Sequence, residues 1–265
     1  RSVVLSCDRS REQQRQKLRE RLVLRSPAAA STSALHASQE ADDSASLSWG
    51  KTRFAVNIEM WGLGGGPAQD RIRAAAKLGY PAVEFWPWRN KDLDQIRIAC
   101  DETGIEVAQF TAWPFNPGMN DPKNHDRIGK EIAESIQAAK KIGARKMTVI
   151  AGNDQPGMTQ EQMHENVITG LKKWAPMAED AGVMLILEPM NIRVDHKGHC
   201  LYGSPEAVRI CREVGSPMVK INWDLYHMQI TEGDLCRRMR EGWDQVGYLQ
   251  LADNPGRREP GTGEI

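Results

Sequence analysis

From Phe54 onward the chain alternates two hydrophobic periods. Short runs rich in β-branched and aromatic residues fall at Phe54–Trp61, Ala82–Pro87, Ile105–Trp113, Lys146–Gly152, Met184–Asn191, Val219–His227 and Val246–Asp253. They have the length and composition of buried strands. Between them the apolar residues recur at helical spacing. Ile72, Ala75 and Ala76 share one face of Asp70–Leu78, and Leu93, Ile96 and Ala99 one face of Lys91–Thr103. Ile128, Ile132, Ile136 and Ala139 do the same in His125–Ile142, as do Met163, Val167, Leu171 and Trp174 in Gln160–Ala181. Pro205–Val214 and Asp234–Trp243 complete the helices. Gly79, Gly104, Gly143, Gly182 and Gly215 each follow a predicted helix, where a left-handed cap residue is wanted.

Strands alternating with helices require crossover connections, hence parallel strands and an α/β fold. A doubly wound open sheet is one solution. A TIM (β/α)8 barrel, typically of ~250 residues, is the other. The barrel is preferred because polar residues cluster at the carboxyl ends of several strands, where barrel sites are built. Only seven strands are recognisable, and the chain stops at Ile265 soon after the seventh. The expectation is therefore a barrel domain over residues 51–265, truncated at its carboxyl end. Residues 1–50 differ in kind. The first 25 carry eight basic residues against three acidic ones, and the next 25 are rich in Ala and Ser. Neither stretch sustains an apolar period, so a disordered or processed leader is expected there. A basic arm for an acidic partner, or sequence foreign to the mature protein, are the competing readings.

Composition narrows the function. Among 265 residues, 35 Lys and Arg balance 35 Asp and Glu, which argues against nucleic acid as the partner. No apolar run is long enough to span a membrane. The five cysteines, Cys7, Cys100, Cys200, Cys211 and Cys236, form no CxxC pair, which suits a reducing, cytoplasmic compartment. Export through the leader would need an apolar stretch that is not found. A homo-oligomer is compatible with the sequence.

Three strand ends carry chemistry. Glu188 follows an apolar run, and a buried carboxylate needs a cation or a metal beside it. A salt bridge to Arg or Lys is the plainer alternative. Asp224 ends the sixth strand with His227 three residues on. Capping of the next segment by Asp224 and an ordinary hydrogen-bonding role for His227 would explain the pair equally. Gln250 places an amide in an apolar strand, where bonding to backbone is the usual reading. Together Glu188, Asp224 and Gln250 offer hard oxygen ligands from neighbouring strands, which suit Mg²⁺ or Mn²⁺ better than zinc. The glycine-rich segment from Asp253 to Glu264 could cover a small anionic substrate, with an Arg as clamp.

Weaker candidates remain. Gly62–Gly66 lacks both the dinucleotide spacing and a P-loop Lys. Trp61, Trp86, Trp88 and Trp113 fit a pocket wall or ordinary core. Glu84 and Gln109 could bond to neighbouring strands or to substrate, and His196 and His199 flank a loop and read as exposed.

The motifs Leu-Glu188-Pro-Met-Asn, Trp-Asp224-Leu-Tyr-His227-Met-Gln, and Leu-Gln250-Leu-Ala-Asp-Asn-Pro-Gly-Arg257 with Arg-Glu-Pro-Gly-Thr-Gly-Glu264 behind it together resemble the hydroxypyruvate isomerase family. That family belongs to the xylose isomerase-like TIM barrels, and the resemblance runs from about residue 52 to the end. It implies a divalent metal, Mg²⁺ or Mn²⁺, held by Glu188, Asp224, Gln250 and a Glu on an eighth strand not present in this chain. Glu264 is too early for that position. It implies contacts from His227 and Arg257 to substrate oxygens. It also implies interconversion of hydroxypyruvate and tartronate semialdehyde, the proton passing between Glu188 and the eighth-strand Glu. The partner would be a small hydroxy or keto acid, or a sugar. A ketose 3-epimerase on the same barrel is the rival among enzymes. An endonuclease IV-like site would need more than the six His present. A non-catalytic acid- or sugar-binding barrel remnant is the rival of another class.

Overall fold

A computed structural model describes residues 48–49, 52–60 and 65–265. The predicted leader, apart from residues 48–49, lies outside the described residues, as do Trp61 and residues 62–64. Ser48–Trp49 and Thr52–Arg53 pair as a short antiparallel ribbon apart from the main sheet.

Seven strands form that sheet: β1 (Ala55–Asn57), β2 (Ala82–Pro87), β3 (Glu106–Trp113), β4 (Lys146–Val149), β5 (Met184–Leu187), β6 (Val219–Asp224) and β7 (Val246–Gln250). Every neighbouring pair is parallel, and order in the sheet follows order in the chain. A doubly wound sheet reverses its strand order at a switch point. This one never does, which is barrel topology. Leu185, Ile186 and Leu187 are all fully buried, so both faces of β5 are covered. The sheet also curls. Glu84 on β2 accepts hydrogen bonds from Asn57 on β1 (3.0 Å) and from Gln250 on β7 (2.9 Å), the two outermost strands.

The helices are α1 (Ala68–Lys77), α2 (Leu93–Thr103), α3 (His125–Ile142), α4 (Gln160–Ala181), α5 (Ser204–Val214), α6 (Leu225–Thr231) and α7 (Leu235–Gly242). Their ends follow local chemistry. The Asp92 carboxylate accepts from Asp94 N–H and Gln95 N–H to open α2, and Thr159 and Gln162 form a reciprocal capping box on α4. The five predicted cap glycines all have positive φ. The helix α6 is absent from the sequence reading. Its Leu-Tyr-His-Met run reads as a continuation of β6, but the Asp224 side chain accepts from Tyr226 N–H and turns the chain into a helix.

Strands end sooner than the apolar runs predict because their carboxyl-terminal extensions become the loops of the site. Three of these loops converge on Gly152. The Gly152 carbonyl accepts from Cys200 N–H (3.0 Å) and the Ala151 carbonyl accepts from Asn120 N–H (3.1 Å). Gly152 has φ +119, and a Cβ there would lie 2.4 Å from the Gly118 Cα. Gly152→Ala is therefore expected to destabilise the fold by about 1–3 kcal/mol, the usual range for overpacking against backbone, read as a lower urea midpoint at unchanged slope. Among the described residues no helix is long and apolar enough to cross a membrane.

Candidate active site

The site lies at the carboxyl ends of β5, β6 and β7. Glu188 directly follows β5, and its N–H donates to the Val149 carbonyl (3.2 Å), continuing the sheet by one residue. Asp224 closes β6, and its register partner on β7 is Gln250. His227 sits in the first turn of α6, so the cap that starts the helix also aims the imidazole. Its Nε2 lies 3.8 Å from Glu188 Oε1 and 3.6 Å from Asp224 Oδ2. Glu188 is 7% exposed, Asp224 2% and His227 1%.

Two carboxyl groups removed from water this close together resist ionisation. Burial, then the neighbouring charge of Asp224, raises the Glu188 carboxyl well above the ordinary carboxylate range, with Glu84 adding to the effect and Arg257 and Asn222 opposing it. Burial likewise raises Asp224, opposed by Arg257 and by the N–H groups of Tyr226 and His227. Burial and the Arg257 charge push His227 down to about 3, so it faces the carboxyl groups as a neutral imidazole rather than as an ion-pair partner.

Arg257 is the one guanidinium that reaches this cluster among the described residues. Its Nη2 donates to Asp224 Oδ2 (3.1 Å), and its plane lies over the Tyr226 ring at 5.0 Å. Its Nε is buried and has no hydrogen-bond partner among the described residues. The loop that carries it is organised by Asp253, whose carboxylate accepts from the N–H groups of Asn254, Thr262, Gly263 and Ile265, each at 2.8 Å. Glu264 turns outward, accepting from Gln229 and Asn254.

Gln250 belongs to a ring of side-chain hydrogen bonds across the barrel interior. Its Nε2 donates to Glu84, and its Oε1 accepts from Asn222 (2.8 Å). Gln109 donates to Glu84 (3.1 Å) and accepts from Thr148 (2.8 Å), while Asn222 also supports Glu188. The amide of Gln250 is thus bonded to side chains, not to backbone, and its oxygen keeps a second lone pair.

The structure brings together Glu188, Asp224, His227 and Arg257, and sets Gln250 beside Asp224. The plain reading of Asp224 also holds, since it caps α6; the arginine expected beside Glu188 bonds to Asp224 instead. Trp113 is buried with its N–H on the Pro117 carbonyl (3.0 Å), Trp88 donates to Ser135 (2.9 Å), and Trp86 is exposed. The expectation that His196 and His199 are exposed needs correction. His199 is buried and His196 is half-buried, because both pack on Phe115. Sequence reasoning assigned no role to Asn191, Asn222 or Asp253. Asn191 and Asp253 lie in quoted motifs and Asn222 just before one, yet a short polar side chain carries no sign of its partner. A second group, Glu161, His164 and Glu206, meets between α4 and α5, where Arg209 bonds to Glu206 at 3.0 Å and reaches Glu161 at 3.5 Å. It is an ion-pair network.

A parallel α/β barrel with buried carboxylates at its strand ends defines the class of protein. The family model described as xylose isomerase-like TIM barrel matches residues 72–265, and the chain belongs to that family. The chain is 31% identical over 219 residues to hydroxypyruvate isomerase from Escherichia coli K12, covering 80% of this chain and 84% of the relative. It is 30% identical over 220 residues to 2-oxo-tetronate isomerase from Cupriavidus necator, again with 80% and 84% covered. A solved structure described as an AP endonuclease of family 2 from Brucella melitensis superposes with a TM-score of 0.74 at 26% identity, covering 80% of this chain and 84% of that one.

Proposed function

We propose that this protein is an isomerase that interconverts hydroxypyruvate and tartronate semialdehyde with the help of a divalent metal. The observation that carries the reading is the buried pair Glu188 and Asp224 with neutral His227 and cationic Arg257 set around it. The relatives that share about a third of the sequence are a hydroxypyruvate isomerase and a 2-oxo-tetronate isomerase, which supports an activity of that class.

The donor set fits a hard cation. Two buried carboxyl groups with raised pKa values and one arginine leave a deficit of positive charge. Glu188, Asp224 and the free lone pair of Gln250 supply oxygen atoms of the kind Mg²⁺ and Mn²⁺ prefer. When bound, the metal supplies Lewis-acid polarisation of the substrate carbonyl and neutralises enediolate charge.

The residues of the chain do the rest. Glu188 accepts the proton from the hydroxymethyl carbon of hydroxypyruvate. The electron pair forms the C=C bond, and the carbonyl oxygen becomes an enediolate oxygen that takes the proton of the terminal hydroxyl. Return of the abstracted proton to the former carbonyl carbon, as the terminal oxygen forms a C=O bond, gives the aldehyde with no net gain or loss of protons. His227 hydrogen-bonds a substrate oxygen. Arg257 clamps the substrate carboxylate through its guanidinium and orients the reacting carbons.

The test is a substrate panel followed by proton NMR: hydroxypyruvate, 2-oxo-tetronate and free ketoses, each with Mg²⁺ or Mn²⁺. Turnover of hydroxypyruvate is expected. Turnover of 2-oxo-tetronate alone would move the assignment to the second isomerase class among the relatives, and turnover of ketoses alone would overturn both. Arg257→Lys is expected to raise KM for hydroxypyruvate by about 10–100-fold, matching the ~1.5–3 kcal/mol of a charge-assisted hydrogen bond. An unchanged KM would remove the clamp.

A further inference from the structure

Three ligand atoms, from Glu188, Asp224 and His227, lie within 4.8 Å of one another, and distance alone makes them a metal-binding triad. A ring nitrogen can bind a metal only through a free lone pair. Which nitrogen of His227 holds the proton therefore decides whether the triad is real.

The answer lies on the far side of the ring. The Asn191 side-chain amide sits 2.7 Å from His227 Nδ1 through its Nδ2. Its orientation is settled by other partners. Asn191 Oδ1 accepts from Val194 N–H (3.0 Å) and Asp195 N–H (3.1 Å), where an NH₂ group would face two donors. The two hydrogens on Nδ2 then go to Asp195 Oδ2 (2.7 Å) and to His227 Nδ1. The backbone N–H of Asn191 also points at Nδ1, at 3.4 Å, whichever way the amide is turned. With two donors aimed at it, Nδ1 is an acceptor and carries no hydrogen, so the ring's N–H is on Nε2.

We infer that Asn191 is a positioning residue that locks His227 in the Nε2–H form, making it a hydrogen-bond donor to substrate and excluding it from the metal's ligands. The donor role rests on the functional reading above; the tautomer does not. One consequence concerns the metal. With His227 excluded, Glu188, Asp224 and Gln250 offer only oxygen, which favours Mg²⁺ or Mn²⁺ over Zn²⁺. Asn191→Asp reverses the lock: a carboxylate facing Nδ1 draws the proton to that side and frees the Nε2 lone pair for a metal.

The experiment is nitrogen NMR on the ¹⁵N-histidine-labelled full chain, with His227 assigned by its loss in His227→Gln. The expected result is a protonated Nε2 and an unprotonated, hydrogen-bonded Nδ1, unaltered by saturating Mg²⁺. An unprotonated Nε2, or an Nε2 signal displaced by Mg²⁺, would overturn the inference. Calorimetric titration of Zn²⁺ gives the second arm. Asn191→Asp is expected to bind Zn²⁺ at least tenfold more tightly than the unaltered chain, with Mg²⁺ affinity changed far less. Equal Zn²⁺ affinities in the two folded proteins would count against the lock. If the Nε2–H form is found and hydroxypyruvate is not turned over, the inference stands and the functional reading falls.

Discussion

Glu188→Gln is expected to leave the fold intact and to lower hydroxypyruvate turnover by about 10²–10⁴-fold, the range a positioned general base contributes. The amide keeps the size and hydrogen-bonding capacity of the carboxyl group but cannot accept the proton from carbon. Turnover within threefold of the unaltered enzyme would remove Glu188 from proton transfer. The same substitution has an opposite effect on stability, and its sign follows from the burial of the group. The folded-state pKa of Glu188 is raised, so the folded chain holds this proton more tightly than the unfolded chain does. In the absence of metal the unfolding free energy therefore falls as pH rises from the ordinary carboxyl range through the raised folded value. The substituted amide has no charge to bury. At pH 8 in chelator, the variant should be more stable by ~0.5–2 kcal/mol, the gain common where a functional group is removed. The advantage should close near pH 4, where the native carboxyl is protonated. Thermal melts at the two pH values check it, and a variant less stable at pH 8 would contradict the account of a buried, uncompensated charge.

Asp224→Ala should weaken Mn²⁺ binding by more than the ~10–100-fold that outer-shell changes cost at metal sites. It removes the carboxylate proposed as a ligand and leaves Arg257, which now bonds to Asp224, without its partner. Asp224 also caps α6 through Tyr226 N–H (2.9 Å), so alanine should cost about 1 kcal/mol of stability as well. Asp224→Asn separates the two effects. Asparagine retains a cap acceptor but lacks the charge, so it should keep most of the stability and still lose the metal. Calorimetric titration with Mn²⁺ alongside urea unfolding distinguishes them. Unchanged affinity in both variants would take Asp224 out of the ligand set.

The fold was legible because its signals are local and repeated. The apolar periods of Ile128–Ile136 and Met184–Leu187, and the glycines after each helix, report burial and chain reversal within a few residues. The site was legible in part for a similar reason: a carboxylate after four apolar residues, as at Glu188, is costly enough to signal a purpose. The helix α6 was not legible, since its seven residues carry no helical stripe and depend on a cap whose partner is a backbone N–H. His199 was misread as exposed because its burial depends on Phe115, 84 positions away in sequence and in contact only after folding.

What the sequence alone determined is the alternation of seven strands with helices and the presence of Glu188, Asp224 and Gln250 at the ends of successive strands. Both follow from periodicity, which needs no knowledge of contacts. Only the tertiary structure decided which partners those groups meet. It showed that Gln250 is held by Glu84, 166 positions earlier in the chain, that Arg257 turns onto Asp224, and that Asn191 meets the far nitrogen of His227. Hydrogen bonds of this kind join residues distant in sequence, and their geometry exists only once packing has brought the strand ends and their loops together.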